Sequence, residues 1–183
     1  LSFFGPEDLP RYFSAEDVIA GGGGFCATNT IFARTEFFRC MPSYVQTYSL
    51  DYMVQIYLST CGDTYGISGE LSAYRRNTEG SWSERMYRAP EAYVRHEQKL
   101  KKHLALFDEA TGEKYHAAVS AAVDKLDFDI LYFQRNYRAL RQPRFKAVYA
   151  AMSPKARFKF RLDQFFPGLM NLYDKMKKKH GQL

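Results

Sequence analysis

Apolar residues between positions 50 and 61 recur three or four places apart, and Gly62 follows them. This spacing with a terminal glycine predicts an amphipathic helix over residues 50–61. Asp51, Gln55 and Ser59 share the opposite face of that helix, because they are four residues apart. The pattern therefore predicts one apolar face for packing and one polar face.

A longer helical pattern occupies the second half of the chain. Its apolar residues follow a nearly heptad stripe, which predicts a long helix packed along one side: Tyr115, Val119, Ala122, Leu126, Ile130, Phe133 and Tyr137. Residues 91–107 are predicted to form its antiparallel partner, with a turn near Thr111 and Gly112. A third helix is expected to begin at Ser153 and Pro154, a favourable cap and first-position pair.

Strand patterns are short and lie in the first half. We predict a buried strand over residues 25–34 and shorter strands over 64–68 and 71–74. Residues 35–41 are predicted to form a short helix that ends before Pro42. Residues 1–24 are predicted to be a loop with one helical turn, capped by Ser14 and Asp17, and with a glycine-rich hinge at 21–24. The expected fold class is α+β and mostly helical.

The composition is that of a globular protein. The chain has 183 residues, of which 46% are hydrophobic and 25% charged, and no apolar run approaches the roughly 18 residues that a membrane span needs. Three cysteines without metal-ligand spacing favour a reduced compartment, so a cytoplasmic location is expected. Because the chain begins with leucine and has no leader pattern, we expect it to be a piece of a longer protein.

Charge is distributed unevenly along the chain. Residues 1–90 contain 7 arginines, no lysine and 10 acidic residues, whereas residues 91–183 contain 19 basic and 10 acidic residues. Pro90 lies at this change of composition, which suggests a boundary there. We therefore predict a linker over 1–24, a first domain over 25–88 and a basic, helical extension over 91–183.

Three segments of the first half resemble inverting family-2 glycosyltransferases. Residues 24–34 are similar to the family's strand of small hydroxylated residues that precedes an apolar-Phe-Arg triplet. Residues 50–62 resemble the family's helix that opens with an acid and an aromatic residue and ends in glycine. Residues 71–83 resemble its Tyr-Arg loop, which continues to Gly, Trp and Ser. The order and separation of the three segments match the acceptor-binding half of the family's GT-A fold.

The resemblance implies a role for each matching residue. Asp51 is the implied catalytic base, which takes the proton from the acceptor hydroxyl as that hydroxyl attacks the anomeric carbon. The alternative is that Asp51 is simply an acid in the first turn of a helix. The implied substrate and diphosphate contacts are those of Thr28, Asn29, Arg75, Arg76 and Trp82.

Some of these roles have simpler alternatives. The arginines can equally be a solvated pair, and Trp82 can be a loop residue that packs on the core. Asn77 stands where the family usually has histidine, and an amide cannot replace an imidazole as metal ligand or proton carrier.

The resemblance also implies groups that we do not find in this chain. A nucleotide-sugar donor, a glycan acceptor and a divalent metal, Mn²⁺ or Mg²⁺, are expected only in the full-length enzyme, because no nucleotide-binding half with a DxD motif precedes residue 24. Asp127 and Asp129 form a DxD string, but it lies within a predicted helix. We therefore expect no metal site in this chain, and expect it to be inactive by itself and to self-associate through an uncovered face.

The basic segment over residues 155–166 interleaves lysine and arginine with phenylalanine, and more lysines follow at 175–179. An anionic membrane surface at the inner face of the membrane suits this pattern. A helix that packs on the core and exposes a solvated basic face suits it as well. We expect no nucleic-acid partner, because no RNA-binding motif is present. The alternative function for the whole chain is a non-catalytic helical module that docks to a membrane or a protein.

Overall fold

The computed structural model describes residues 9–47, 51–69, 71–73 and 89–166. The chain divides into two compact units: unit 1 comprises Leu1–Arg76 and Arg95–Val123, and unit 2 comprises Asn77–Val94 and Asp124–Leu183. The predicted functional boundary near residue 90 remains a prediction.

The described residues are mostly helical, with one small sheet. The two strands are β1 (Arg11–Phe13) and β2 (Thr64–Gly66). The α-helices are α1 (Ala15–Gly21), α2 (Thr35–Arg39), α3 (Ser43–Gln46), α4 (Asp51–Cys61), α5 (Pro90–Ala110), α6 (His116–Phe133), α7 (Lys146–Ala151) and α8 (Pro154–Phe165). Single 3₁₀ turns lie at Gly22–Gly24, Thr28–Thr30, Ala139–Arg141 and Pro143–Phe145. The expectation of a mostly helical fold with a few short strands is confirmed.

The sheet of unit 1 is antiparallel, and Tyr12 lies opposite Tyr65. Their exposed rings pack with centroids 4.8 Å apart, whereas Phe13 turns inward and is buried. Gly66 is required beside it, since a Cβ there would approach Phe13 Cε2 to 2.7 Å and Leu9 Cδ2 to 2.5 Å. The sheet therefore closes over the core by excluding a side chain at position 66.

The core of unit 1 is built largely by α1 and α4. Ser14 and Asp17 form the expected reciprocal cap of α1, at 3.0 and 3.1 Å. The Tyr52 hydroxyl donates to the Ile19 carbonyl over 2.7 Å, and burial raises the pKa of that hydroxyl. The apolar residues buried at this contact are Val18, Ile19, Met53 and Ile56. The predicted α4 is confirmed, as is its end at Gly62.

The parts of α5 and α6 in unit 1 are joined by a tight turn. Gly112 takes a φ of 61°, which favours glycine, and the Phe107 ring stacks on Tyr115 at 5.9 Å. The predicted turn near Thr111 and Gly112 is confirmed. Buried apolar residues line this segment: Leu100, Leu104, Phe107, Tyr115 and Val119.

The core of unit 2 revises the predicted stripe on α6. Phe128, Leu140 and Phe145 are its buried centre, although Phe128 was outside the stripe. Phe133 was inside the stripe but is 46% exposed, and it packs on Tyr93 with centroids 4.4 Å apart. Phe128 and Ile130 are both buried and lie about 200° apart around the helix, so this part of α6 is covered on two faces. A single stripe cannot predict a second covered face.

Two predicted strands are wrong. Residues 25–34 have no strand partner, and their backbone makes local bonds instead, such as Thr30 N to Ala27 O at 2.9 Å. Phe32 is 93% exposed, although a buried strand was expected there. Residues 71–73 are not a strand either, and Tyr74 lies outside the described residues. A strand needs a neighbour to satisfy its backbone, and β-rich composition alone does not provide one.

Residues 9–24 contain regular elements where a loop with one helical turn was predicted. It contains β1 and the two turns of α1, whose Val18 and Ile19 are buried. Gly21 ends α1, and Gly22–Gly24 form a 3₁₀ turn where a hinge was expected.

Candidate functional site

Asp51 is the first residue of α4, and its side chain is exposed. The Thr28 hydroxyl donates a hydrogen bond to its Oδ2. Thr28 begins the 3₁₀ turn Thr28–Thr30, so this turn and the start of α4 meet. Two of the predicted site residues, 23 positions apart in sequence, are thus in direct contact.

The same turn holds the other predicted residue of this segment. Asn29 Nδ2 donates to the carbonyl of Ala73 over 3.4 Å, a long hydrogen bond. Thr30 turns back to its own backbone, with Oγ1 2.6 Å from the Ala27 carbonyl. Two hydrogen bonds therefore join this 3₁₀ turn to other parts of unit 1, one to Asp51 and one to the backbone of Ala73.

Gln55 lies one turn after Asp51 and was expected on the polar, outward face of α4. It is instead only 5% exposed, because the turn that contains Cys26 covers it. Its Nε2 donates to the Cys26 carbonyl over 3.1 Å, whereas its Oε1 is buried without a hydrogen-bond partner. Sequence reasoning missed this residue, although its place four residues after Asp51 was a usable signal.

Cys26 completes the surroundings of Asp51. Burial raises the pKa of the Cys26 thiol, a hydrogen bond with Thr30 lowers it, and the negative charge of Asp51 raises it further. The net pKa is above the ordinary value, so the thiol remains protonated near neutral pH and is a poor nucleophile. Within this cluster the Asp51 carboxylate, and not the thiol, is the group with oxygens that can accept a proton.

The arrangement allows proton transfer to the exposed carboxylate. Thr28 occupies Oδ2, and Asp51 Oδ1 makes no hydrogen bond to any described residue. A carboxylate oxygen in that state can accept a proton from an incoming hydroxyl. The helix start also favours the negative charge of Asp51.

The remaining predicted site residues are not among those that the structure describes. Arg75, Arg76, Asn77 and Trp82 lie outside the described residues, and their roles stay predictions.

In unit 2, Arg144 Nη1 forms ion pairs with two acids of α6. It lies 2.8 Å from Asp127 Oδ2 and 3.2 Å from Asp124 Oδ1.

The DxD string of unit 2 does not form a cluster of ligands. Asp127 is engaged by Arg144, and Asp127 and Asp129 are two residues apart on α6, about 200° around the helix. Burial raises the pKa of Asp129, and Lys125 lowers it. Within the described ranges, no three His, Cys, Asp or Glu side chains are grouped as metal ligands.

Two histidines of the described helices contact polar groups of other residues. His103 Nδ1 lies 2.8 Å from the Tyr44 carbonyl, and His116 Nδ1 lies 2.7 Å from Asp108 Oδ2. Asp108 is buried, and its Oδ1 has no hydrogen-bond partner. A histidine that contacts a buried carboxylate could not be predicted from helical spacing alone.

A basic groove of about 670 Å³ lies along α5, away from the predicted site residues in sequence. The described residues that line it are Arg95, Gln98, Lys99, Lys101, Lys102 and Ala105.

Comparison with protein-family models, with curated proteins and with solved structures finds no match. None of the described helices has the length and apolarity that a membrane span requires.

Proposed function

We propose that unit 1 carries the acceptor side of an inverting glycosyltransferase active site, with Asp51 as the catalytic base. The contact between Thr28 and Asp51 is the observation that carries this proposal. The resemblance assigned both residues to the site from separate segments, and they meet in the fold. The absence of the expected strand over residues 25–34 means that this support concerns the site and not the GT-A fold.

The proposed reaction is a single displacement. The acceptor oxygen forms a bond to the anomeric carbon while the bond between that carbon and the diphosphate oxygen breaks. Asp51 takes the acceptor proton, and the diphosphate leaves with the bonding electrons. Thr28 positions the carboxylate by its hydrogen bond to Oδ2. Arg75 and Arg76 are proposed to stabilise the charge on the leaving diphosphate.

The divalent metal that the resemblance implies has no fitting residues in the described parts of the chain. The acids of the DxD string are about 200° apart around α6, and one of them is paired with Arg144. No step of the proposed reaction on these residues therefore passes through a metal ion.

The test is sugar transfer by the protein that the gene encodes, with a panel of nucleotide sugars and glycan acceptors. Asp51→Asn should lower turnover by about 10²- to 10⁴-fold, the usual contribution of general base catalysis, and leave donor binding nearly unchanged. Asp63→Asn is the matched control, because Asp63 is an exposed acid just after the same helix. Full activity in the Asp51 variant would exclude Asp51 as the base.

The rival proposal is a non-catalytic helical module that docks to a membrane or a protein. Exposed phenylalanines on α8 favour it. Absence of transfer with every donor and acceptor, together with a folded protein, would favour this rival over the enzyme.

A further inference from the structure

One face of helix α8 packs on the core of unit 2, to which the helix belongs. The Phe160 ring lies 5.6 Å from the Phe128 ring and 5.7 Å from the Tyr132 ring. The Tyr132 hydroxyl donates to the carboxylate of Asp163 on the same side of the helix. Ser153 caps the first turn by accepting from Ala156 N over 3.2 Å. The helix is thus fixed in orientation.

The other face of α8 presents phenylalanine to solvent. Phe158 and Phe165 are each 65% exposed. They are seven residues apart, or about two helical turns, so they lie on the same side of the helix. Phe166, directly after the helix, is exposed as well. Two exposed phenylalanines on one side of a short helix, and a third directly after it, indicate a surface that binds something apolar.

Basic side chains flank these rings. Lys155 and Arg161 lie three residues before and three residues after Phe158, and Lys159 is next to it in sequence. All three are exposed. The one acid of the helix, Asp163, is partly buried against Tyr132. We call the surface formed by Phe158, Phe165, Lys155, Lys159 and Arg161 the basic aromatic face.

The structure removes one residue from the surface that the sequence suggested. Arg157 is partly buried, and its Nε donates to the Met152 carbonyl over 2.9 Å. Its guanidinium therefore stabilises the entry to α8 and does not contribute to the basic aromatic face. Arg161 Nε donates to the Tyr149 hydroxyl over 3.1 Å, and the residue remains exposed.

We infer that the basic aromatic face binds the surface of an anionic lipid bilayer. The phenylalanine rings enter the apolar side of the interface, and the flanking cations contact lipid phosphates. Charge alone would also attract nucleic acid. Two rings aligned along a helix, with cations beside them, match an interface between an apolar and an anionic layer better than a row of stacked bases. This inference does not depend on the proposed catalysis.

The charge part of the inference is tested by co-sedimentation of the full chain with vesicles. Wild type should bind vesicles of phosphatidylcholine with one quarter phosphatidylglycerol and not pure phosphatidylcholine. Lys155→Glu with Lys159→Glu should weaken that binding by about tenfold or more. Arg141→Glu with Lys146→Glu is the matched control: the same charge change, in the same unit, at exposed positions outside α8. The control should stay within about threefold of wild type. Equal loss in both variants would overturn the inference.

The apolar part needs a second variant. Phe158→Ser with Phe165→Ser should also weaken vesicle binding about tenfold or more, and circular dichroism should show a folded chain because both rings are exposed. Full binding by this variant would mean attraction by charge alone and would overturn the inference. Tighter binding of a single-stranded oligonucleotide than of the vesicles would overturn it too.

Discussion

His116 Nδ1 lies 2.7 Å from Oδ2 of Asp108, across the turn that joins α5 to α6. The imidazole is largely exposed, whereas the carboxylate is buried. The hydrogen bond with Asp108 and the charge of that carboxylate raise the pKa of His116 above its ordinary value of 6.5. A titratable contact therefore connects the end of one long helix to the start of the next.

This contact predicts a pH-dependent stability. Because the pKa of His116 is higher in the folded chain than in the unfolded chain, its contribution to stability is complete below about pH 6.5. That contribution is lost as pH rises through the raised folded pKa. The free energy of unfolding, measured by urea denaturation between pH 5.5 and 8.5, should therefore fall less over this range in His116→Gln than in wild type.

His96 is the control, because its pKa is shifted in the opposite direction from that of His116. Burial lowers the pKa of His96, and Lys99 lowers it further. Its contribution to stability therefore increases with pH, and His96→Gln should make the loss of stability with pH steeper than in wild type. Identical pH profiles for His116→Gln and wild type would contradict the assigned contact.

Thr28→Val tests the positioning of Asp51. Valine keeps the shape of threonine but removes the hydroxyl that donates to the carboxylate. We expect kcat for sugar transfer to fall roughly tenfold with KM nearly unchanged, which corresponds to one hydrogen bond to a charged group. Thr28→Ser should restore most of the rate. A change in KM alone would show that Thr28 contacts substrate and does not position the base.

The core of unit 2 predicts a ranking of three variants. Phe128→Ala should lower the free energy of unfolding by about 3 to 5 kcal/mol, because its ring is buried among aromatic side chains. Leu126→Ala, at a partly buried position, should cost roughly half as much. Phe158→Ala should have little effect because its ring is exposed. Urea denaturation measures the free energy of unfolding of all three variants. A larger loss in Leu126→Ala than in Phe128→Ala would contradict the assigned core and favour the predicted stripe.

A binding experiment tests the absence of a donor site in the 183-residue chain. Calorimetric titration with uridine diphosphate and Mn²⁺ should show no metal-dependent binding. Arg144 forms an ion pair with Asp127, and the described residues offer no cluster of metal ligands. Micromolar, metal-dependent binding would contradict this expectation. It would direct attention back to Asp127, Asp129 and the glycines at 21–24.

Local features of the sequence predicted the helices well. The cap at Ser14, the stop at Gly62 and the turn near Gly112 each depend on a few adjacent residues, and all three are present. The sequence failed where an outcome depends on distant parts of the chain. Residues 25–34 have strand-like composition but no partner strand, and Gln55 is buried by a turn about 30 residues earlier.

The candidate site shows the same limit. Periodicity placed Asp51 and Gln55 on one face of α4, but it could not bring Thr28 to that face. Only the resemblance grouped Thr28 with Asp51, and it gave no information on the burial of Gln55 or Cys26. Contacts between residues so far apart arise from tertiary packing, which a helical or strand period does not encode.

Unit 1 is discontinuous along the chain, since it takes Leu1–Arg76 and then Arg95–Val123. A gene shortened to end near residue 90 would encode a protein without Leu104 and Phe107, both of which are completely buried. The remaining segment would expose apolar surface that these side chains cover, and we expect it to accumulate as insoluble protein. The segment that carries Asp51 is therefore not a transplantable module, and recombination or domain exchange would have to transfer both stretches together.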